Sequence, residues 1–125
     1  MYESRNGVKC VTCSPDGQHL ASGDLIGNVR IHDLASMTEL HSIEAHDGGV
    51  LCLEYSDYDS GVKYLVSASR DRLIHIYDAA RGYSHLQTLS DHSSSICSVK
   101  LIPSADSMLM ISASNDKVGA YHDRV

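Results

Sequence analysis

The 125-residue sequence has no tryptophan, only two prolines, and fewer basic than acidic residues, with 10 Lys+Arg against 16 Asp+Glu and a formal net charge of −6. Each shortage excludes something. A nucleic-acid surface shows a basic stripe, whereas the basic residues here are scattered and Arg70 and Arg72, flanking Asp71, are the only close pair. No apolar run approaches the roughly 20 residues of a membrane span. The first ten residues, MYESRNGVKC, lack the basic-then-apolar order of a secretion signal, so the expectation is an intracellular protein. With 42% hydrophobic residues, the chain has enough apolar surface to fold, which argues against disorder.

The four cysteines, Cys10, Cys13, Cys52 and Cys97, fall in expected strands, where a reduced cysteine acts as a small buried hydrophobe. Cys10 and Cys13 spell C-x-x-C, but residues three apart on a strand point to opposite faces. No second C-x-x-C completes a zinc site. The eight histidines, His19, His32, His41, His46, His75, His85, His92 and His122, show no metal-ligand spacing. The expectation is no metal and no cofactor. His32 and His75 lie in partly alternating strands and read as blade-surface residues.

What the sequence does have is a period of 45 residues. Ser22–Asp33 (SGDLIGNVRIHD), Ser67–Asp78 (SASRDRLIHIYD) and Ser112–Asp123 (SASNDKVGAYHD) align without a gap. A period of about 40–45 residues made of short strands marks a four-stranded propeller blade. Strands are expected at Val8–Cys13, His19–Gly23, Asn28–His32 and Glu39–Ile43. A second set covers Val50–Tyr55, Tyr64–Ser69, Leu73–Tyr77 and Leu86–Leu89. A third covers Ile96–Leu101, Met108–Ser114 and Val118–Tyr121. Turn chemistry separates them, as in Ser14-Pro-Asp-Gly17, and the first hairpin loop of the second unit is about three residues longer than that of the first. The fold class is all-β: a partial propeller of about three four-stranded blades. The units span about 7–43, 45–89 and a truncated 91–125. A closed ring needs on the order of 300 residues, so the expectation is a piece of a larger ring. A lone piece would expose apolar blade faces and strand edges and would self-associate.

Polar residues recur with the same period. His46 precedes Asp71 by 25 residues and His92 precedes Asp116 by 24. Each Asp lies in a tight turn two residues after a strand serine, Ser69 or Ser114. This pattern resembles the WD-repeat family, in which a His, a turn Asp, a strand Ser or Thr and a Trp share one hydrogen-bonded network. The resemblance covers the whole chain. It implies a structural network of His46, Ser67 or Ser69, Asp71 and Tyr77 in the second unit. In the third it implies His92, Ser112 or Ser114 and Asp116, with His122 at the Trp position. In the first unit Ile26 replaces the turn Asp and His32 the Trp, so that blade is expected to rest on packing alone.

Ser14–Asp24, Glu44–Asp47, Leu51–Ser56, Ser67–His75 and His92–Ile96 go further. They are similar to the scaffold family of mitogen-activated protein kinase-binding protein 1 and its spindle-pole paralogue. That resemblance implies a cytoplasmic scaffold of c-Jun N-terminal kinase signalling, or one of centrosomes and spindle poles, with protein partners. The family's kinase-docking segment lies in a C-terminal tail that nothing here matches, so this chain would carry part of the platform. The alternatives are a generic WD adaptor, such as a ubiquitin-ligase substrate receptor, or a truncated product without independent function. An enzyme is not expected: the His/Asp/Ser set recurs, and no G-x-S-x-G is present. The expected binding loops are Ser36–Met37, Asp47–Gly49, Asp57–Gly61, Ala80–Ser84 and Ser93–Ser95. Phosphorylation in the last is conceivable, and a solvated turn is the simpler reading.

Overall fold

The computed structural model describes residues 7–56, 64–90, 96–103, 108–114 and 120–123, and for the last three stretches the backbone together with the Val99 side chain. Three antiparallel meanders follow one another. The first is β1 (Val8–Cys13), β2 (His19–Asp24), β3 (Asn28–Asp33) and β4 (Glu39–Glu44). The second is β5 (Val50–Tyr55), β6 (Tyr64–Ser69), β7 (Ile74–Asp78) and β8 (Ser84–Leu89). The third holds β9 (Ile96–Pro103), β10 (Met108–Ser114) and β11 (Ala120–Asp123). The fold is all-β, and its sheets are the blades of a partial propeller. No helix among the described residues is long and apolar enough to cross a membrane.

The 45-residue period extends to the irregularities of the ladder. The pairing of the first and second strands shifts register opposite Gly23/Asp24, Ala68/Ser69 and Ala113/Ser114, which are equivalent positions in the three blades. The third and fourth strands shift at Ile31/His32 and Ile76/Tyr77, again equivalent. A bulge bends and twists a strand at a fixed place, so each blade acquires the same curvature and the next can stack on it.

Stacking is where the core lies. Residues alternate between the two faces of a strand. Leu65 and Tyr77 face the first blade and join Ala21, Val29, Ile31, Val50, Leu53, Tyr55 and Tyr83 in one buried cluster. Val66, Ala68, Ile74 and Ile76 face the other way and pack with Val99 of β9. The second blade is therefore covered on both faces, which explains its runs such as Ile74–Tyr77 with little polarity. The inner strand β5 lies between β1 and β9. Blades approach closely there: a Cβ on Gly23 would come within 2.6 Å of the Val50 side chain. The outer strands β4 and β8 are mostly exposed.

Several expectations shift. Leu73 lies outside β7 because its N–H bonds the Asp71 carboxylate at 2.9 Å, which makes it part of the turn. β8 begins at Ser84, before Leu86, because Asp78 pairs with Ser84 around a single 3-10 turn at Ala79–Arg81. His32 is buried at 3% exposure, contrary to the surface expectation. The bulge at Ile31/His32 breaks the alternation on which that expectation rested.

Candidate functional site

In the second blade, the loop after β4 brings His46 back across the β6–β7 turn. His46 Nδ1 lies 2.9 and 3.1 Å from the two Asp71 carboxylate oxygens, and Nε2 lies 2.8 Å from Ser67 Oγ. Asp71 also accepts from the backbone N–H groups of Asp47 at 3.1 Å and Leu73 at 2.9 Å. Ser69 accepts from the Asp71 N–H and donates to the Gly48 carbonyl, both at 3.0 Å. Ser67 also hydrogen-bonds Tyr77. The structure thus brings together His46, Ser67, Ser69, Asp71 and Tyr77. Ser112 and Ser114 lie in β10, opposite Val99 and Ile96 respectively. His92 and Asp116 fall outside the described residues.

Burial sets the electrostatics. It holds His46 below the usual imidazole range, although the Asp71 charge and hydrogen bond pull the other way. Burial would raise Asp71, but the Leu73 N–H, His46 and the Asp47 N–H together hold it below the ordinary carboxylate range. Burial also raises the Tyr77 phenol, against its bond to Ser67. At neutral pH the network is a neutral imidazole on an ionised carboxylate. A hydrolase reading fails on geometry. Ser67 is 0% exposed, so its hydroxyl cannot meet a substrate, and both His46 nitrogens already have partners.

The first blade solves the same turn differently, and it does not rest on packing alone. Asp24, at the position of Ser69, is 2% exposed. Its Oδ1 accepts from the N–H groups of Ile26 at 3.1 Å, Gly27 at 2.9 Å and Asn28 at 2.8 Å. One carboxylate replaces the turn function of Asp71 from two residues earlier. Ser22 Oγ and Asp24 Oδ2 are buried without a partner among the described residues.

A second polar chain joins the two blades. Tyr83 OH lies 2.8 Å from His19 Nδ1 of β2 and 2.9 Å from Tyr55 OH of β5, while the His41 ring of β4 sits 5.3 Å away. Tyr83 is 5% exposed and takes a left-handed φ of 60°. It is therefore an anchor inside the blade interface, and the expectation that Ala80–Ser84 is wholly a binding loop is corrected at this residue. Long-range contacts of this kind leave no spacing signal; an aromatic residue just after Gly82 was the available hint. Of Asp47–Gly49 only Asp47 is exposed, because Gly49 packs on the Leu25 backbone. Ser36 and Met37 are exposed, and Asp57–Gly61 and Ser93–Ser95 lie outside the described residues.

Cys10 is half-buried and Cys13 exposed. The two lie on opposite faces as expected, but Cys13 is not a buried hydrophobe. Burial, with Cys52 adding, pushes the Cys10 thiol up to about 11, which makes it a poor nucleophile. Sequence spacing gave no sign of one further group: His46, Asp71 and His75 each offer a ligand atom, all within 4.8 Å of one another.

One rim brings several exposed side chains together. Leu25 and Ile26, each 56% exposed, cap the β2–β3 turn. That turn touches the 46–49 loop through Gly27 and Gly49, and the loop touches Arg70 and Asp71 through Gly48. Asp47, Arg70 and Arg72 are exposed beside it. An apolar pair ringed by charge at turns held rigid from beneath is suited to binding a protein surface.

The family model for the WD domain, G-beta repeat, matches residues 2–33, 37–78 and 83–118. Mitogen-activated protein kinase-binding protein 1 of Mus musculus is 55% identical over 94% of this chain, which covers 8% of that protein. WD repeat-containing protein 62 of Sus scrofa is 56% identical over 92% of the chain and 7% of that protein. The chain thus spans less than a tenth of the length of these relatives. A chain in the crystal structure of the mitotic checkpoint complex superposes with a TM-score of 0.76 at 33% identity, covering 93% of this chain and 34% of that one. With its period, bulges and buried network, the chain belongs to the WD-repeat family.

Proposed function

We propose that this chain is a segment of a protein-interaction scaffold, binding protein partners through the rim that carries Leu25, Ile26, Asp47, Arg70 and Arg72. The exposed Leu25–Ile26 pair supports this reading most. Two large apolar side chains at 56% exposure sit on a turn fixed by three hydrogen bonds to Asp24. Such a surface loses little entropy on binding. The names of the relatives favour partners in mitogen-activated protein kinase signalling. The resemblance read from the sequence narrows this to c-Jun N-terminal kinase or spindle-pole scaffolds, in the cytoplasm or at centrosomes. The chain supplies part of the platform, and the resemblance read from the sequence implies that kinase docking lies outside it.

The test is proximity labelling in dividing cells with the chain fused to a biotin ligase, comparing the parent with Leu25→Asp/Ile26→Asp. The reading expects kinase-cascade or spindle-pole proteins to be labelled by the parent and lost in the variant. Loss of ubiquitin-ligase subunits would favour the generic adaptor instead. An identical labelled set would contradict the rim.

The isolated chain also self-associates on this account. Val8 and Val11 of β1 are 43% and 60% exposed, in a chain that covers 34% of the similar chain of the mitotic checkpoint complex, and a second copy is the available cover.

A further inference from the structure

We propose that His46, Asp71 and His75 form a binding site for a divalent transition-metal ion of the zinc type on the second blade. The ligand atoms are already gathered within 4.8 Å, with the His46 and His75 rings 4.5 Å apart. Zinc bonds nitrogen and carboxylate oxygen at about 2.0–2.2 Å, which places tetrahedral ligands roughly 3.4 Å from one another. Closure therefore asks for a movement on the order of 1 Å. His75 can supply it because it is only half-buried, whereas His46 and its turn are fixed.

The supporting shell is in place. A metal-bound imidazole is usually oriented by a hydrogen bond at its other nitrogen. His46 Nε2 has Ser67 Oγ at 2.8 Å. His75 Nδ1 has Thr88 Oγ1 at 2.7 Å, and that hydroxyl is held in turn by His85 Nε2 at 2.8 Å. Two imidazoles and a carboxylate leave room for a water or a partner's side chain as fourth ligand. Binding at His46 Nδ1 moves the ring proton from Nδ1 to Nε2, which then donates to Ser67 Oγ, so the imidazole stays neutral and no proton is released, and it displaces the His75 bond to the Ala45 backbone.

The scaffold alone does not explain His75. The His, Asp and Ser of the network recur in the third unit, but the position of His75 is Arg30 in the first unit and Ala120 in the third. A blade can be built without an imidazole there, and only this blade adds one beside the network.

The full 125-residue chain would be titrated with Co2+ in the visible and with Zn2+ by calorimetry. The proposal expects one ion per chain, a tetrahedral cobalt spectrum without sulfur charge transfer, and a zinc-dependent rise in melting temperature. His75→Ala should weaken binding by at least about tenfold and abolish the rise, while Cys13→Ser should change neither. In the parent, the ring resonances of His46 and His75 should move with zinc while those of His19 and His41 stay, a readout that survives any misfolding of the variant. Sulfur charge transfer, equal affinity in a folded His75→Ala, no binding at micromolar zinc, or ring shifts elsewhere would overturn it.

Discussion

His46 is pulled two ways: burial favours its neutral form, and Asp71 favours its charged one. Its role follows from what each ring nitrogen satisfies. His46→Ala strips Asp71 and Ser67 of a partner, and an unsatisfied buried polar group costs about 1–3 kcal/mol, to be read in a urea melt. His75 gives a pH signature. Its ordinary value of 6.5 falls to about 4 in the fold, so between these pH values the unfolded chain binds a proton that the folded chain does not. Stability contributed by the neutral ring is present above 6.5 and is lost as pH falls toward 4. The groups facing it are His46, His85 and Asp71. His75→Ala should flatten the denaturant midpoint in that window and leave it unchanged in slope above pH 7. The pairing of His46 with Asp71 was legible because a nearly equal separation, 25 against 24 residues, recurs between His92 and Asp116. The approach of His75 was not, because it depends on how the loop after β4 folds over β7, which no local spacing encodes.

At the level of the element, turns and bulges decide how blades meet. Gly27 has φ +106°, and a Cβ there would lie 2.1 Å from the His46 carbonyl oxygen. Gly27→Ala should therefore cost roughly 2–4 kcal/mol, combining backbone strain with a collision against the neighbouring loop; chemical denaturation measures it. Tyr83→Phe removes the hydroxyl that joins His19 to Tyr55 and should cost about 1–3 kcal/mol. It should also raise amide exchange in β2 and β5 together, since both blades lean on it. Strand positions were largely legible, because apolar alternation and Gly, Asp and Ser turns bracket segments such as Val50–Tyr55 and Tyr64–Ser69. What periodicity could not give was the side chain that substitutes for a missing one. Asp24 does the work expected of position 26 from two residues away, and only the folded turn shows that a carboxylate reaches the same N–H groups from there.

For the whole molecule, the second blade is packed on both faces among the described residues. Ile76 is 1% exposed at the contact with Val99. Ile76→Ala should cost about 2–5 kcal/mol and loosen the second and third blades together. Propeller blades are stable only when their faces are covered, so the decisive measurement is the mass of the purified 125-residue chain, from light scattering after size exclusion, with a circular-dichroism melt on the same peak. A multimer with a β spectrum is expected, since Val8 and Val11 are exposed and β1 is an edge strand. A monodisperse monomer with a sharp cooperative melt would contradict it.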